Sequence, residues 1–253
     1  MNTIEMQYRT PENLNTRISI HEKYSVNPQP FGDWILSNYT LGPKDRILEL
    51  GCGTADMWKG NLSLLPEGAC LTLTDFSSGM LLSAKENTAG DPRVDCRVVD
   101  IQNIPFEDAS FDAVIANMML YHVPDLDRGL SEVRRVLKPG GRFYCATYGE
   151  NGIMAFVNDT LREYGIRGRV GGSFTLQNGG EVLGRHFASA EKRTREDGLA
   201  ITHVPDFVSY VLSLSGLSGL EKADAALITK AFTEKCVDGI LYVPKEYGMF
   251  ICR

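Results

Sequence analysis

Polar residues follow four short apolar runs in the first half of the chain, and their types suit ligand binding. The first run ends in Glu49-x-Gly51-x-Gly53, and the later runs end at Asp75, Asp100 and Asn117. In open α/β sheets, ligands bind outside the carboxyl ends of the strands. Polar residues at equivalent places after successive runs therefore predict one ligand that crosses several strands.

The spacing between the glycines and Asp75 is typical of ribose binding. Gly51 and Gly53 permit a tight turn and a close approach of a ligand to the backbone. Asp75 lies 22 residues past Gly53, where an acid can accept hydrogen bonds from a ribose. Two structural alternatives stay open, because glycines end many strands and Asp75 is also placed to cap the helix entered at Ser77.

The acidic character of the glycine loop argues against phosphate-bearing ligands. Asp56 stands where a dinucleotide fingerprint has its third glycine, and a carboxylate there repels pyrophosphate. Glu49 adds negative charge, and no lysine follows the glycines as it does in a P-loop. The loop therefore suits a phosphate-free cationic cofactor, and S-adenosylmethionine (SAM) carries both an ammonium and a sulfonium.

Strands and helices must alternate between Arg46 and Tyr148 to position these residues. Apolar runs predict strands at Arg46–Leu50, Cys70–Thr74, Val94–Val99, Phe111–Ala116 and Arg142–Tyr148. Helical spacing predicts helices over Ala55–Leu65, Ser77–Thr88 and Leu126–Leu137. This alternation predicts a doubly wound, Rossmann-like, mostly parallel α/β sheet with right-handed crossovers.

Motifs in this stretch, taken in order, resemble those of class I SAM-dependent methyltransferases, and in particular the methyltransferase type 11 family. They are Leu48-Glu-Leu-Gly-Cys-Gly-Thr-Ala55, Thr74-Asp-Phe-Ser-Ser-Gly-Met-Leu81, Asp100-Ile-Gln-Asn-Ile-Pro-Phe106, Phe111-Asp-Ala-Val114, Asn117-Met-Met-Leu-Tyr-His122 and Leu137-Lys-Pro-Gly-Gly141. The resemblance covers roughly residues 44–148. Ala55 departs from the family, which usually has a third glycine here, so we expect a tighter turn.

The resemblance implies a role for each matching residue. Glu49 and the Gly51–Gly53 loop, including Cys52, would hold the methionine end of SAM, and Asn117 would lie near the same moiety. Asp75 would bind the ribose hydroxyls. The residues that would contact adenine are Asp100 through its carboxylate, Ile101 through its backbone, and Phe76, Met80 and Ile101 through their side chains. Core packing is an equally good interpretation of Met80.

The resemblance also implies a seven-strand sheet of the methyltransferase type. The flanks carry no comparable match, and their own sequence patterns predict a three-part chain. We expect an N-terminal helical lid over residues 1–43, a SAM-binding core over 44–148, and a C-terminal insertion with edge strands over 149–253. Strand candidates in the last part are Ala188–Arg195, Gly198–Thr202, Ile240–Val243 and Tyr247–Cys252. The charged run Glu191–Asp197 is predicted to be a solvated edge strand rather than a binding patch.

Catalysis of methyl transfer requires mainly that nucleophile, methyl and sulfur be aligned, and such positioning can supply ~7–11 kcal/mol. His122 and Tyr121 follow the fourth strand, where a substrate would meet the methyl group. His122 is a candidate general base, and packing or helix capping is the alternative. In the N-terminal flank, Tyr8, His21 and Tyr24 are candidates for a lid with aromatic faces near the sulfonium. A helix packed on the sheet is the alternative.

Composition narrows the function classes. The 253 residues carry a net charge of −6, which argues against nucleic acid and anionic membranes as partners. The six cysteines show no zinc spacing, so we expect buried thiols, no metal and a cytoplasmic location. The expected state is a monomer or homodimer.

The sequence thus predicts a small-molecule methyltransferase that uses SAM and releases S-adenosylhomocysteine. One alternative is a non-catalytic SAM-binding or regulatory protein, since a fold does not fix a function. A nucleotide-dependent oxidoreductase is a further alternative, which Asp56 disfavours.

Overall fold

The computed structural model describes residues 12–166, 168, 172–214, 220 and 224–253. The chain divides into two compact units. The core unit comprises Phe31–Thr147, Ser173–Arg193 and Gly248–Arg253, and the accessory unit comprises Met1–Pro30, Tyr148–Gly172 and Thr194–Tyr247. The predicted three-part division of the chain stays a prediction.

Within the described residues, seven strands form one sheet in the order β3-β2-β1-β4-β5-β7-β6. Their bounds are β1 Arg46–Leu50, β2 Cys70–Asp75, β3 Val94–Val98, β4 Phe111–Ile115, β5 Leu137–Tyr148, β6 Ala190–Ile201 and β7 Leu241–Cys252. The pairs β1–β2, β2–β3, β1–β4 and β4–β5 are parallel. Ser189 and Arg253 exchange two backbone hydrogen bonds, which is the antiparallel pattern between β6 and β7. The predicted seven-strand, mostly parallel α/β sheet is confirmed.

Both faces of the core sheet are buried, because its strands alternate apolar residues between two clusters. Leu48 of β1 and Val114 of β4 pack in one cluster, and their neighbours Ile47 and Ala113 pack in the other. A parallel sheet covered on both sides leaves the strand ends as the place where polar side chains can meet a ligand.

The helices are α1 Glu12–Tyr24, α2 Phe31–Ser37, α3 Ser78–Asn87, α4 Leu126–Val136, α5 Ile153–Arg162, α6 Gly179–Gly184, α7 Val204–Ser213 and α8 Ala225–Thr233. Ser77 caps α3 by accepting a hydrogen bond from the Met80 amide. Asp125 caps α4 in the same way by accepting from the Arg128 amide. These caps satisfy amide groups that a helix leaves without partners at its first turn.

The predicted helix over Ala55–Leu65 is wrong. Two short 3₁₀ helices, Asp56–Trp58 and Leu62–Leu64, replace it. Ala55 and Gly60 both have positive φ, 57° and 76°, and this left-handed conformation cannot continue a right-handed helix.

The strands near the C-terminus are longer than the sequence patterns predict, since β6 and β7 each run unbroken for 12 residues. We expected Pro244 to separate two short strands. Gly149 donates to the Glu246 carbonyl just after β5 ends, and the chain then enters α5. Pro244 in β7 therefore lies past the last residue of β5, so pairing with β5 does not require a backbone N–H at this position.

The accessory unit has its own apolar core. Buried residues of α1, α5, α7 and α8 pack with Leu199, Ile201, Leu241 and Val243 of β6 and β7. No helix in the described part of the chain is long and apolar enough to cross a membrane.

Candidate functional site

The glycine loop after β1 has a backbone that only small residues adopt readily. Gly51 and Gly53 have φ values of 65° and 57°. A Cβ atom at Gly51 would lie 2.9 Å from side-chain atoms of Met119, so this position has no room for a side chain. Ala55, which replaces the family's usual third glycine, adopts φ of 57° at a cost of roughly 1–2 kcal/mol.

Asp75, the candidate ribose ligand, is held by the backbone at the end of β2. Its Oδ2 accepts a hydrogen bond from the Gly53 amide at 3.0 Å, and its Oδ1 accepts from the Ser77 amide at 2.8 Å. Burial raises the pKa of Asp75, while the amide hydrogen bonds oppose that shift. Each carboxylate oxygen can accept more than one hydrogen bond, so both oxygens keep capacity for a ligand hydroxyl.

Glu49 is almost fully buried beneath the glycine loop, and Trp58 is its partner. The Trp58 indole Nε1–H donates to Glu49 Oε2 at 2.5 Å. Burial raises the pKa of Glu49 from 4.5 to about 7, and the Trp58 hydrogen bond limits the rise. A cation bound beside Glu49 would favour its ionised form. Sequence reasoning missed Trp58, which lies in the segment wrongly predicted as a regular helix.

Cys52 is a poor nucleophile in this loop. Burial raises the pKa of its thiol well above the usual value, and the charges of Glu49 and Asp75 add to the shift. Reactivity of cysteine needs the thiolate, so Cys52 can contribute packing and backbone rather than chemistry.

The two residues at the third strand end differ in exposure. Asp100 is exposed, and its carboxylate accepts from the Gln102 amide at 2.8 Å and from the Gln102 side chain at 3.2 Å. Ile101 is buried in the core.

The other two candidate adenine contacts differ in the same way. Phe76 is 44% exposed, whereas Met80 is 1% exposed. Phe76 is thus available to an adenine ring, while the burial of Met80 favours its core-packing interpretation.

Asn117 joins the end of β4 to two neighbouring elements. Its Nδ2 donates to the Tyr39 hydroxyl at 2.6 Å, and its Oδ1 accepts from the Ala146 amide at 3.1 Å. Burial raises the pKa of Tyr39 well above its usual value, so the phenol stays protonated. Sequence reasoning missed Tyr39, which precedes the region of resemblance and contacts Asn117 only through space.

His122 and Tyr121 lie in a 3₁₀ helix, Leu120–His122, before α4. Their rings meet edge to face with centroids 4.5 Å apart, and both side chains are half-buried. The His122 amide donates to the Met119 carbonyl at 2.9 Å, which ties this turn to the residue packed against Gly51.

The aromatic residues of the N-terminal flank divide by position. Tyr8 lies outside the described residues. Tyr24 in α1 donates its hydroxyl to Asp206 Oδ2 at 2.8 Å, and His21 meets the rings of Tyr210 and Tyr247 edge to face. Both residues thus have partners within the accessory unit, and the lid over residues 1–43 stays a prediction.

The electrostatic character of the strand ends is acidic. Among the described residues, no ion pair involves Glu49, Asp75 or Asp100, and no group of His, Cys, Asp and Glu side chains has the arrangement of a metal site. Carboxylates without cationic partners favour a positively charged ligand.

Comparisons with known proteins add sequence evidence. Residues 48–145 match the family described as Methyltransferase domain. A demethylmenaquinone methyltransferase from Clavibacter sepedonicus is 43% identical over 104 residues, which are 41% of this chain and 41% of that protein. A malonyl-acyl-carrier-protein O-methyltransferase from Methylococcus capsulatus is 37% identical over 111 residues, which are 44% of this chain and 40% of that protein. The chain therefore matches about two fifths of the length of these curated relatives.

A solved structure extends the comparison of folds. The (4+2)-cyclase SpnF has a TM-score of 0.62 at 19% identity, and the superposition covers 100% of this chain and 97% of that chain. Identity at this level shows a shared fold and carries no inference about the reaction.

Proposed function

We propose that this chain, whose residues 48–145 match the methyltransferase domain family, transfers a methyl group from SAM to a small-molecule acceptor. The observation that carries the proposal is the anchored carboxylate of Asp75, which the Gly53 and Ser77 amides fix at the end of β2. A fixed acceptor beside a glycine loop is the arrangement that a ribose needs.

The remaining candidate residues fit a cationic nucleoside. Glu49, Cys52 and the two loop glycines would hold the methionine end, and Asn117 would support it. At the other end, the Asp100 carboxylate would accept a hydrogen bond from the adenine amino group, the Ile101 backbone would supply a further contact, and Phe76 would lie against the ring. When bound, SAM supplies a methyl group activated by the sulfonium, and the protein's own task is to align the acceptor with that methyl.

Asp56 supports SAM over a dinucleotide. Its carboxylate accepts from the Thr54 hydroxyl at 2.8 Å and from the Asn87 amide at 3.0 Å, so it is built into the turn after the glycines. A negative charge at this place opposes pyrophosphate. The oxidoreductase alternative is therefore the weaker one.

The acceptor is proposed only as a class. The relatives' names identify a demethylmenaquinone in one case and a malonyl-acyl-carrier protein in the other. The two named acceptors differ, and only the second name specifies the methylated atom, an oxygen, so they support methyl transfer to a metabolite-derived group without selecting one. The expected absence of nucleic-acid and membrane partners, the monomer or homodimer and the cytoplasmic location stay predictions.

Calorimetry with SAM, S-adenosylhomocysteine and NADH tests the cofactor. We expect binding of the first two and none of NADH, and the reverse pattern would contradict the proposal. Transfer of label from methyl-labelled SAM to a panel of quinols, acyl thioesters and small acids then separates an enzyme from a non-catalytic SAM-binding protein.

We also propose His122 as a general base, with Tyr121 beside it. His122→Ala should then lower kcat by ~10²–10⁴ with SAM binding nearly unchanged, and the wild-type rate should fall at acid pH because only neutral imidazole accepts a proton. Tyr121→Phe separates the hydroxyl from the ring, and His203→Ala, at an exposed histidine bonded to Asp206, is the control. A folded His122→Ala variant with full kcat would leave alignment as the whole mechanism.

A further inference from the structure

The loop that joins β3 to β4 carries two of the proposed adenine contacts, Asp100 and Ile101. Residues 99–110 form this loop and contain neither a helix nor a strand. A segment without regular backbone pairing must take its hydrogen bonds from neighbouring elements if it is to hold one conformation. In this core unit, α4 supplies many of those bonds through its side chains.

One face of α4 contacts this loop at successive helical turns. Arg128, Glu132 and Arg135 are spaced by three or four residues, which places them on the same side of the helix. Arg128 Nε donates to the Gln102 carbonyl at 2.8 Å. The Asp125 amide, at the cap of the helix, donates to Gln102 Oε1 at 3.1 Å. Gln102 is therefore tied to the start of α4 through both its backbone and its side chain.

Arg135 is the centre of the contacts near the other end of the loop. Its guanidinium has five N–H groups. They donate to the Ile104 and Phe106 carbonyls at 2.8 and 2.7 Å and to Asp108 Oδ1 at 2.9 Å. They also donate to the two carboxylate oxygens of Glu132 at 2.7 and 2.8 Å. These bonds use the whole guanidinium, so the side chain is held in one orientation against the loop.

Glu132 completes the contact with Ile104. Its Oε2 accepts from the Ile104 amide at 2.8 Å, while Arg135 donates to the Ile104 carbonyl. The ion pair thus bonds both backbone groups of one loop residue, as a neighbouring strand would. The hydrogen bond from Arg135 lowers the pKa of Glu132, so the pair is ionised at pH 7.

The two proposed adenine contacts are fixed from the same face of α4. Gln102, which α4 holds, donates its backbone amide to Asp100 Oδ1 at 2.8 Å and its side-chain amide to both Asp100 oxygens at 3.2 Å. A Cβ atom at Gly129 of α4 would lie 3.4 Å from Ile101 Cγ1, so the Ile101 side chain packs closely against the helix at this glycine. The positions of Asp100 and Ile101 therefore depend on how α4 holds the loop.

We propose that Arg135 is a positioning residue for the adenine of SAM, which acts through the loop and does not touch the cofactor. The inference rests on the proposed function, in which Asp100 and Ile101 contact adenine. Without the guanidinium, the loop loses three of its hydrogen bonds and opens locally at a lower free energy. Ordering the loop then consumes part of the binding free energy of the adenine end. The loss of affinity should concern ligands that carry adenine.

Binding of two ligands to the full chain tests the proposal, with S-adenosylhomocysteine and S-ribosylhomocysteine as the probes. The second keeps the homocysteine and the ribose and lacks the adenine. In calorimetry and NMR titration, Arg135→Met should weaken binding of S-adenosylhomocysteine about 10-fold and leave the affinity for S-ribosylhomocysteine unchanged. Arg134→Met, at the exposed neighbouring arginine, is the control and should bind both ligands as wild type does. An equal loss for both ligands in Arg135→Met would indicate a general effect on the fold and would overturn the proposal.

Arg128→Met is the second variant, so that a misfolded Arg135→Met protein cannot decide the outcome. Arg128 is exposed and gives the loop one hydrogen bond, so we expect a folded protein with about 3-fold weaker binding of S-adenosylhomocysteine and unchanged binding of S-ribosylhomocysteine. If wild type binds S-adenosylhomocysteine and both loop variants bind it as Arg134→Met does, this inference is overturned and the proposed function stands. If wild type binds neither ligand, the proposed function fails and this inference fails with it.

Discussion

The buried carboxylates at the strand ends of the core unit and the buried carboxylate Asp197 of the accessory unit differ in their partners. Glu49 and Asp75 are buried carboxylates whose described partners are an indole N–H and backbone amides. Asp197 is a buried carboxylate whose partners include two cations. Among the described residues, the carboxylates of the first region form no ion pair, whereas the carboxylate of the second forms two.

Their partners, rather than burial, decide the charge of these carboxylates. Burial raises the pKa of Glu49 to about 7 because one neutral donor cannot offset desolvation. The same desolvation at Asp197 is outweighed by Lys245, Ser25 and Arg195. A cationic ligand would therefore give the carboxylates at the strand ends the positive partner that Asp197 already has in Lys245 and Arg195.

Asp75→Ala should have the largest effect of the substitutions at the strand ends, and the quantity affected is the affinity for SAM. We expect SAM affinity to fall by roughly 3–6 kcal/mol, since two hydrogen bonds from ribose hydroxyls to a charged group are worth about 1.5–3 kcal/mol each. Calorimetry measures this loss, and circular dichroism checks that the fold is kept. Asp95→Ala, at an exposed acid paired with Arg97 on β3, should bind as wild type does. Equal affinity of both variants would remove Asp75 from the ribose site.

Asp197→Asn should lower the free energy of unfolding of the protein. The change removes the carboxylate that forms buried ion pairs with Arg195 and Lys245, and losing one member of a buried ion pair costs about 3–5 kcal/mol. Urea unfolding at pH 7 measures the free energy. Asp159→Asn, which breaks an exposed pair with Arg162, should change it by less than about 1 kcal/mol. A small effect at Asp197 would mean that the two cations are not held by this carboxylate.

The positions of the carboxylates at the strand ends followed from the sequence, because local patterns of apolar and polar residues mark the ends of the strands. The strands β1, β2 and β4 are apolar runs with polar residues at or just beyond their ends. The partners Trp58 and Tyr39 escaped prediction, since each meets its carboxylate or amide through tertiary packing rather than through any periodicity.

The burial of Arg195 and Asp197 was not predicted, although the sequence of β6 contains a pattern that indicates it. The charged run Glu191–Asp197 was predicted to be a solvated edge strand; β6 does lie at the sheet edge, but Arg195 and Asp197 are buried. Alternate residues of a strand share one face, and Leu199 and Ile201 continue the face of Arg195 and Asp197. Extending the strand to those two apolar residues would have predicted the burial.

Glu49→Gln should have the opposite effect to Asp197→Asn. Both changes remove a buried negative charge, but the change at Glu49 should stabilise the protein. The folded-state pKa of Glu49 is raised from 4.5 to about 7, so its neutral form is favoured and wild-type stability is lost as the pH rises through 7. The difference corresponds to about 3 kcal/mol above that pH. Unfolding free energies of variant and wild type should separate between pH 4.5 and 8 and agree below pH 4.5. In Glu132→Gln, whose carboxylate pairs with Arg135 and has a lowered pKa, the variant should instead be the less stable protein at pH 7.

Asp100→Ala should have the smallest effect on the affinity for SAM, because Asp100 is the exposed carboxylate among those at the strand ends. Asp100 is exposed and already accepts hydrogen bonds from Gln102, and an adenine amino group is neutral. One such contact is worth about 0.5–1.5 kcal/mol, so SAM and S-adenosylhomocysteine should lose affinity by the same modest factor. An equal loss for both ligands is expected because adenine is common to them, whereas a loss confined to SAM would point to the cationic end. Unchanged affinity for both would remove Asp100 as the adenine partner and leave that role to the Ile101 backbone.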